Sequence, residues 1–142
     1  MKISILLETN SSGGGSFTHS VNTCLDLKRF CGIKNEIIVY TQFKKSFETL
    51  KDLKIPVKLF SHSFLDKLLL KFSIFKIFRF LTDLINIKIS IEKTIIENKS
   101  DLIFFPVLSN TVFCLKKMRF ISTLLDLEHF KHSTFIHLKD RN

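Results

Sequence analysis

The chain has 142 residues, the length of one domain, and its 45% hydrophobic content excludes a disordered tail. Its net charge is +9, but the lysines are scattered rather than gathered into a patch, so nucleic acid is not an expected partner. No run reaches 18 uncharged apolar residues, so no transmembrane helix is expected, and "ISILL" is too short for the core of a signal peptide.

Taken in chain order, "KISILL" (Lys2 to Leu7) is a continuous apolar run bounded by polar and glycine residues, which predicts a strand buried on both faces of a parallel sheet. Three of the four glycines follow in one run, Gly13 to Gly15. Phe17, Val21, Cys24, Leu25, Leu27 and Phe30 then recur near helical spacing, with Gly32 placed to end the helix. "NEIIVYT" (Asn35 to Thr41) predicts a second strand, "FKKSFETLKDL" (Phe43 to Leu53) a short helix, and "VKLF" (Val57 to Phe60) a third strand. Phe64 to Asn98 reads as one or two helices. "DLIFFPV" (Asp101 to Val107) is a fourth strand stopped by Pro106, and a short helix is expected from about Ser109. "RFISTLLD" (Arg119 to Asp126) is a fifth strand, followed by a polar, histidine-rich end.

Strands alternating with helices predict an α/β fold, a Rossmann-like open parallel sheet of about five strands with helices on both faces. Residues 1–142 form a single domain, with no internal repeat and no linker.

The glycine run lies between the first strand and the first helix. A helix N-terminus offers unpaired N–H groups and partial positive charge, and glycines let a ligand approach them. The run lacks the third glycine of the dinucleotide fingerprint and the GK[ST] ending of a P-loop. It is therefore either a plain turn or an anion site of another kind. Asp126 and His129 fall at the carboxyl end of the fifth strand, where open parallel sheets bind ligands. His129, His132 and His137 with Glu128 lack the helical pair spacing of a metal site, and no metal is expected. Cys24, Cys31 and Cys114 form neither a metal-ligand spacing nor an even framework, and read as free thiols in a reducing cytosol.

Two stretches together resemble glycosyltransferase family 4, enzymes of the GT-B fold that use nucleotide-sugars. In "MKISILLETNSSGGGSFTHSVNTCLDLKRF", Gly14, Gly15, Ser16, Phe17, His19 and Ser20 match the family's glycine loop and the Tyr/His-Ser pair entering its first helix. In "DLIFFPVLSN" and "FISTLLDLEHFKHSTF", Asp101, Pro106, Thr123, Asp126, Leu127 and His129 match the later strand motifs. The chain departs from the family at "KHSTF", where relatives carry a Pro-Glu-Phe-like turn, and at Leu125.

The resemblance implies that Gly13, Gly14, Gly15, Ser16 and His19 bind substrate or phosphate, and that Asp126 and His129 are catalytic, orienting sugar hydroxyls and the diphosphate. It implies no resident cofactor or metal, a nucleotide-sugar as donor substrate, and a glycan or lipid-linked acceptor. The family's second, donor-binding domain would be the partner polypeptide. By this reading the chain is the N-terminal, acceptor-side part of such an enzyme, inactive alone. It would be a truncated product, half of a split enzyme, or a remnant. The alternative is a non-enzymatic Rossmann-like interaction module. A cytoplasmic location is expected, at the inner face of the membrane in one version.

That version rests on the basic, aromatic-rich segment 64–91, with Lys67, Lys71, Lys76, Arg79 and Lys88 spread through it. Such helices can lie in a membrane interface. On a helical wheel, however, Leu68, Phe72 and Phe75 fall within the arc of the basic residues, which favours a segment that is mostly core.

Overall fold

The computed structural model describes residues 1–73 and 87–123, together with residues 75, 77, 80, 82 and 84. Asp126, His129 and the histidine-rich end lie outside the described residues, as do Lys76 and Arg79.

Strand β1 (Lys2–Leu7) is buried at every residue after Lys2, and β2 (Glu36–Thr41) at every residue after Glu36. Continuous apolar runs of this kind have to be covered on both faces. These two strands form the centre of the sheet with β4 (Leu102–Phe105), while β3 (Val57–Leu59) and β5 (Phe120–Ser122) form the short edges. The strand order is β3-β2-β1-β4-β5, and every pairing is parallel. Ile3 stands opposite Ile37 on one side and Leu102 on the other.

Side-chain alternation divides the core into two layers. Ile3, Ile5 and Leu7 of β1 pack with Val21 and Cys24 of α1 (Gly15–Cys31) and Leu50 of α2 (Lys44–Asp52). Leu6, Ile38, Tyr40 and Phe105 pack on the opposite face with Ile91 and Ile95 of α4 (Ser90–Glu97) and Cys114 of a 3-10 turn, Asn110–Cys114. The fold is thus the predicted α/β class, an open all-parallel sheet with helices on both faces.

The cysteines are free, and Cys24 and Cys114 are buried. Burial pushes the Cys24 thiol up to about 12, and it raises that of Cys114 too.

The helix end at Gly32 has a different cause from the one the sequence suggested. Gly32 keeps right-handed helical dihedrals rather than the left-handed ones of a typical glycine stop. A Cβ there would run into the Lys28 carbonyl, so glycine serves close approach instead.

Helix α3 (Phe64–Phe72) departs from the mostly-core reading of its segment. Leu69 and Leu70 pack on the second core layer, but Phe64, Leu65 and Leu68 are 80%, 67% and 42% exposed. Its buried residue is the charged one, Asp66. Ser63 Oγ accepts from the Asp66 N–H at 3.1 Å, and Asp66 Oδ2 accepts from the Ser63 N–H at 2.8 Å, a complete capping box. Asp66 Oδ1 also accepts from the Ser90 N–H at 3.0 Å, tying α3 to the start of α4. This carboxylate holds one particular side of α3 against the protein.

Candidate functional site

The chain runs from β1 outward to β3, then returns to β4 on the other side of β1. The connections leaving β1 and β4 therefore diverge in opposite directions at their carboxyl ends. Open α/β sheets bind ligands in the crevice that this divergence leaves. A cleft of about 70 Å³ lies there, lined by Glu8 and Thr9 after β1, Ser20 of α1, and Pro106 to Ser109 after β4.

Alternation carries Glu8 onto the α4 side of the sheet and Thr9 onto the α1 side. Three residues hold the Glu8 carboxylate. Thr111 Oγ1 donates to Oε1 at 2.7 Å, Ser109 Oγ donates to Oε2, and His62 Nε2 lies 3.5 Å from Oε1. The Glu8 and His62 side chains are 13% and 5% exposed. Phe60 meets the imidazole edge-on, with ring centroids 5.1 Å apart. His62 Nδ1 is buried and has no hydrogen-bond partner among the described residues. The result is a fixed carboxylate at the cleft wall, with its rotamer set by two hydroxyls.

On the other side Thr9 Oγ1 donates to Ser20 Oγ at 3.2 Å, and Ser20 Oγ donates back to the Ser16 carbonyl at 2.8 Å. Ser46 Oγ of α2 donates to the Thr9 carbonyl at 3.2 Å. These bonds pin the segment that leads into the glycine run.

Within that run the Gly13 N–H closes a turn onto the Asn10 carbonyl at 2.8 Å, and a Cβ at Gly13 would come within 2.9 Å of the same oxygen. Gly14 has φ +56° and ψ −125°, a conformation that L side chains rarely adopt. Gly15, the first residue of α1, has open space where a side chain would stand. No side chain caps α1, and its first turn has no acidic residue. The leading N–H groups thus stand behind an exposed glycine loop, an arrangement that favours anions.

Of the residues singled out from sequence, Gly13, Gly14, Gly15 and Ser16 stand at this loop and helix start and are not among the residues lining the cleft. His19 lies one turn further along, with Nε2 3.4 Å from Thr23 Oγ1 of its own helix, and does not line the cleft. Its neighbour Ser20 does. Glu8, Thr9, His62, Ser109 and Thr111 were not singled out. Glu8 had a signal, an acid at the first polar position after a doubly buried strand. Ser109 and Thr111 follow the proline that ends β4. His62 had none, because only the strand order brings it to Glu8.

Chemically, the site combines two preferences. The Glu8 carboxylate accepts hydrogen bonds from neutral hydroxyls and repels anions, while the α1 N-terminus favours negative charge. Among the described residues, no group of three His, Cys, Asp or Glu side chains gathers as metal ligands. No protein-family model matches the sequence, and no match is found among curated proteins or solved structures.

Proposed function

We propose that this chain is the acceptor-side part of a glycosyltransferase, contributing to transfer of a sugar from a nucleotide-sugar to a glycan or lipid-linked acceptor in the cytoplasm. The observation that carries the reading is that a fixed carboxylate, Glu8, and the uncapped, glycine-led helix α1 both follow β1 at the switch point, with Ser20 of α1 lining the same cleft as Glu8. Sugar hydroxyls suit the first and a diphosphate suits the second. In such a transfer the acceptor hydroxyl oxygen bonds to the anomeric carbon as the bond to the diphosphate breaks, and the hydroxyl proton passes to the departing diphosphate or to water. Glu8 would accept from a sugar hydroxyl, and the α1 N-terminus would stabilise charge on the departing diphosphate. The family resemblance adds Asp126 and His129 as polar groups beyond β5, and a second domain for the nucleotide.

The test is titration of the isotope-labelled chain with UDP-glucose, GDP-mannose, UDP alone and glucose alone, followed by amide chemical shifts. Diphosphate-bearing ligands should move Gly14 to Phe17, and the sugar should move Glu8, Thr9 and Ser109. Glu8→Gln should weaken the sugar response and leave that of UDP. Unmoved spectra at millimolar ligand would sink the reading. The rival, a binding module of this fold without turnover, draws on the outward apolar face of α3 and predicts those unmoved spectra.

A further inference from the structure

We infer that α3 is an interfacial helix that docks this protein on an anionic lipid surface. The inference is independent of the proposed activity. On a wheel of about 100° per residue, Phe64, Leu68, Phe72 and Leu65 fall within an arc of about 100°, and Lys67 and Lys71 lie beside it within a further ~60°. Asp66, Leu69 and Leu70 fall on the opposite side, the side that meets the protein. The helix therefore has three sectors: one against the core, one apolar and exposed, one cationic and exposed.

The position of Asp66 decides the charge of the outward surface. It is the only acid in α3, it is 3% exposed, and its two oxygens are taken by the Ser63 and Ser90 N–H groups. What α3 shows to the outside is phenylalanine, leucine and lysine. Phe75, Ile77 and Phe80, beyond the helix end, are exposed as well, at 62%, 78% and 68%. Four apolar side chains gathered on one exposed helix arc, as Phe64, Leu65, Leu68 and Phe72 are, mark an interaction surface more often than singly scattered ones do.

A complementary partner must offer negative charge beside apolar depth. A second copy of this face offers the same lysines and so does not supply the charge. Anionic headgroups over acyl chains supply both, with lysine stems lying along the boundary. At nine residues α3 is about 14 Å long, and no helix of the described residues is long and apolar enough to cross a membrane. The geometry is that of a helix lying in the interface plane.

The test is flotation of the full chain with vesicles of phosphatidylcholine alone, or of phosphatidylcholine and phosphatidylglycerol in equal parts. The protein should float with the anionic vesicles at low salt, much less with the neutral ones, and less as salt rises. The double variant Lys67→Glu/Lys71→Glu should weaken binding on the order of tenfold or more. Phe64→Ser/Leu68→Ser should weaken it at every salt concentration. All four side chains are exposed, and unchanged thermal unfolding checks that both variants fold. Any of three results overturns the inference: no flotation with anionic vesicles, flotation indifferent to these substitutions, or self-association through this face without lipid binding.

Discussion

Thr111 Oγ1 donates to Glu8 Oε1 at 2.7 Å, joining the end of β1 to the turn after β4 across 103 residues of sequence. Thr111 is 1% exposed and the acceptor is charged, so this bond belongs to the stronger class. Thr111→Val keeps the shape and deletes the donor. It should cost about 1.5–3 kcal/mol in urea unfolding. Thr111→Ser should recover most of that loss. An unchanged midpoint for the valine variant would show that the pair contributes nothing to the fold.

The glycine run should divide by position. Gly14→Ala forces a side chain into φ +56°, at a cost of about 1–3 kcal/mol. Gly15→Ala places a methyl in open space on the first turn of a helix, and should be neutral or stabilising by up to ~1 kcal/mol. Thermal unfolding of the two variants, measured side by side, checks the contrast. Equal losses would mean that the loop does not have the described conformation.

Asp66 makes a pH-dependent contribution. Its burial raises the carboxyl pKa, but hydrogen bonds from the Ser90 and Ser63 segments outweigh this and hold it below its ordinary 3.8. A folded-state pKa below the unfolded one stabilises the protein above the unfolded value, and that stability is lost as pH falls through the folded value. Asp66→Asn should thus be destabilising by about 1 kcal/mol or more at pH 7, through loss of the capping box. The gap to the parent protein should close as pH falls below about 4. A gap that stays constant from pH 7 to pH 3 would show that the carboxylate charge plays no part.

Glu92 is a buried carboxylate with a structural task. From α4, its Oε1 accepts the N–H groups of Lys116, Lys117 and Met118 at 2.8, 2.7 and 3.3 Å, shaping the approach to β5. Glu92→Ala leaves those donors without their acceptor and should cost on the order of 2–4 kcal/mol. Glu92→Gln keeps an oxygen in place and should cost less. Faster amide exchange at residues 116–118 in the alanine variant would locate the damage, and protection equal to that of the parent would contradict the role given to Glu92.

The central strands were legible because burial on both faces leaves a nearly continuous apolar run, as in Ile3 to Leu7, where only Ser4 is polar, and Ile37 to Tyr40. Helix α1 was legible from spacing, and the glycine run marked the turn that leads into it. The membership of the site was less legible. Glu8 meets Ser109 across 101 residues, and His62 arrives from the loop after β3, so only the strand order assembles them. The outward face of α3 was the less favoured of two sequence readings for another reason. Periodicity tells which residues share a side, but not which side meets water. Here the deciding contact is Asp66 with Ser63 and Ser90, a polar anchor where an apolar one is expected.

The order β3-β2-β1-β4-β5 also has a consequence in time. β1 is the middle strand of the sheet and is made well before β4, with Ile3 paired to Leu102. At roughly 5–20 residues per second of synthesis, one edge of β1 waits about 5–20 s for its neighbour. Until then the N–H and C=O groups along that edge are unpaired and open to any extended chain. The growing polypeptide is therefore open to mispairing at β1 for that time, and a chaperone that recognises extended apolar peptides would find a target in Lys2–Leu7.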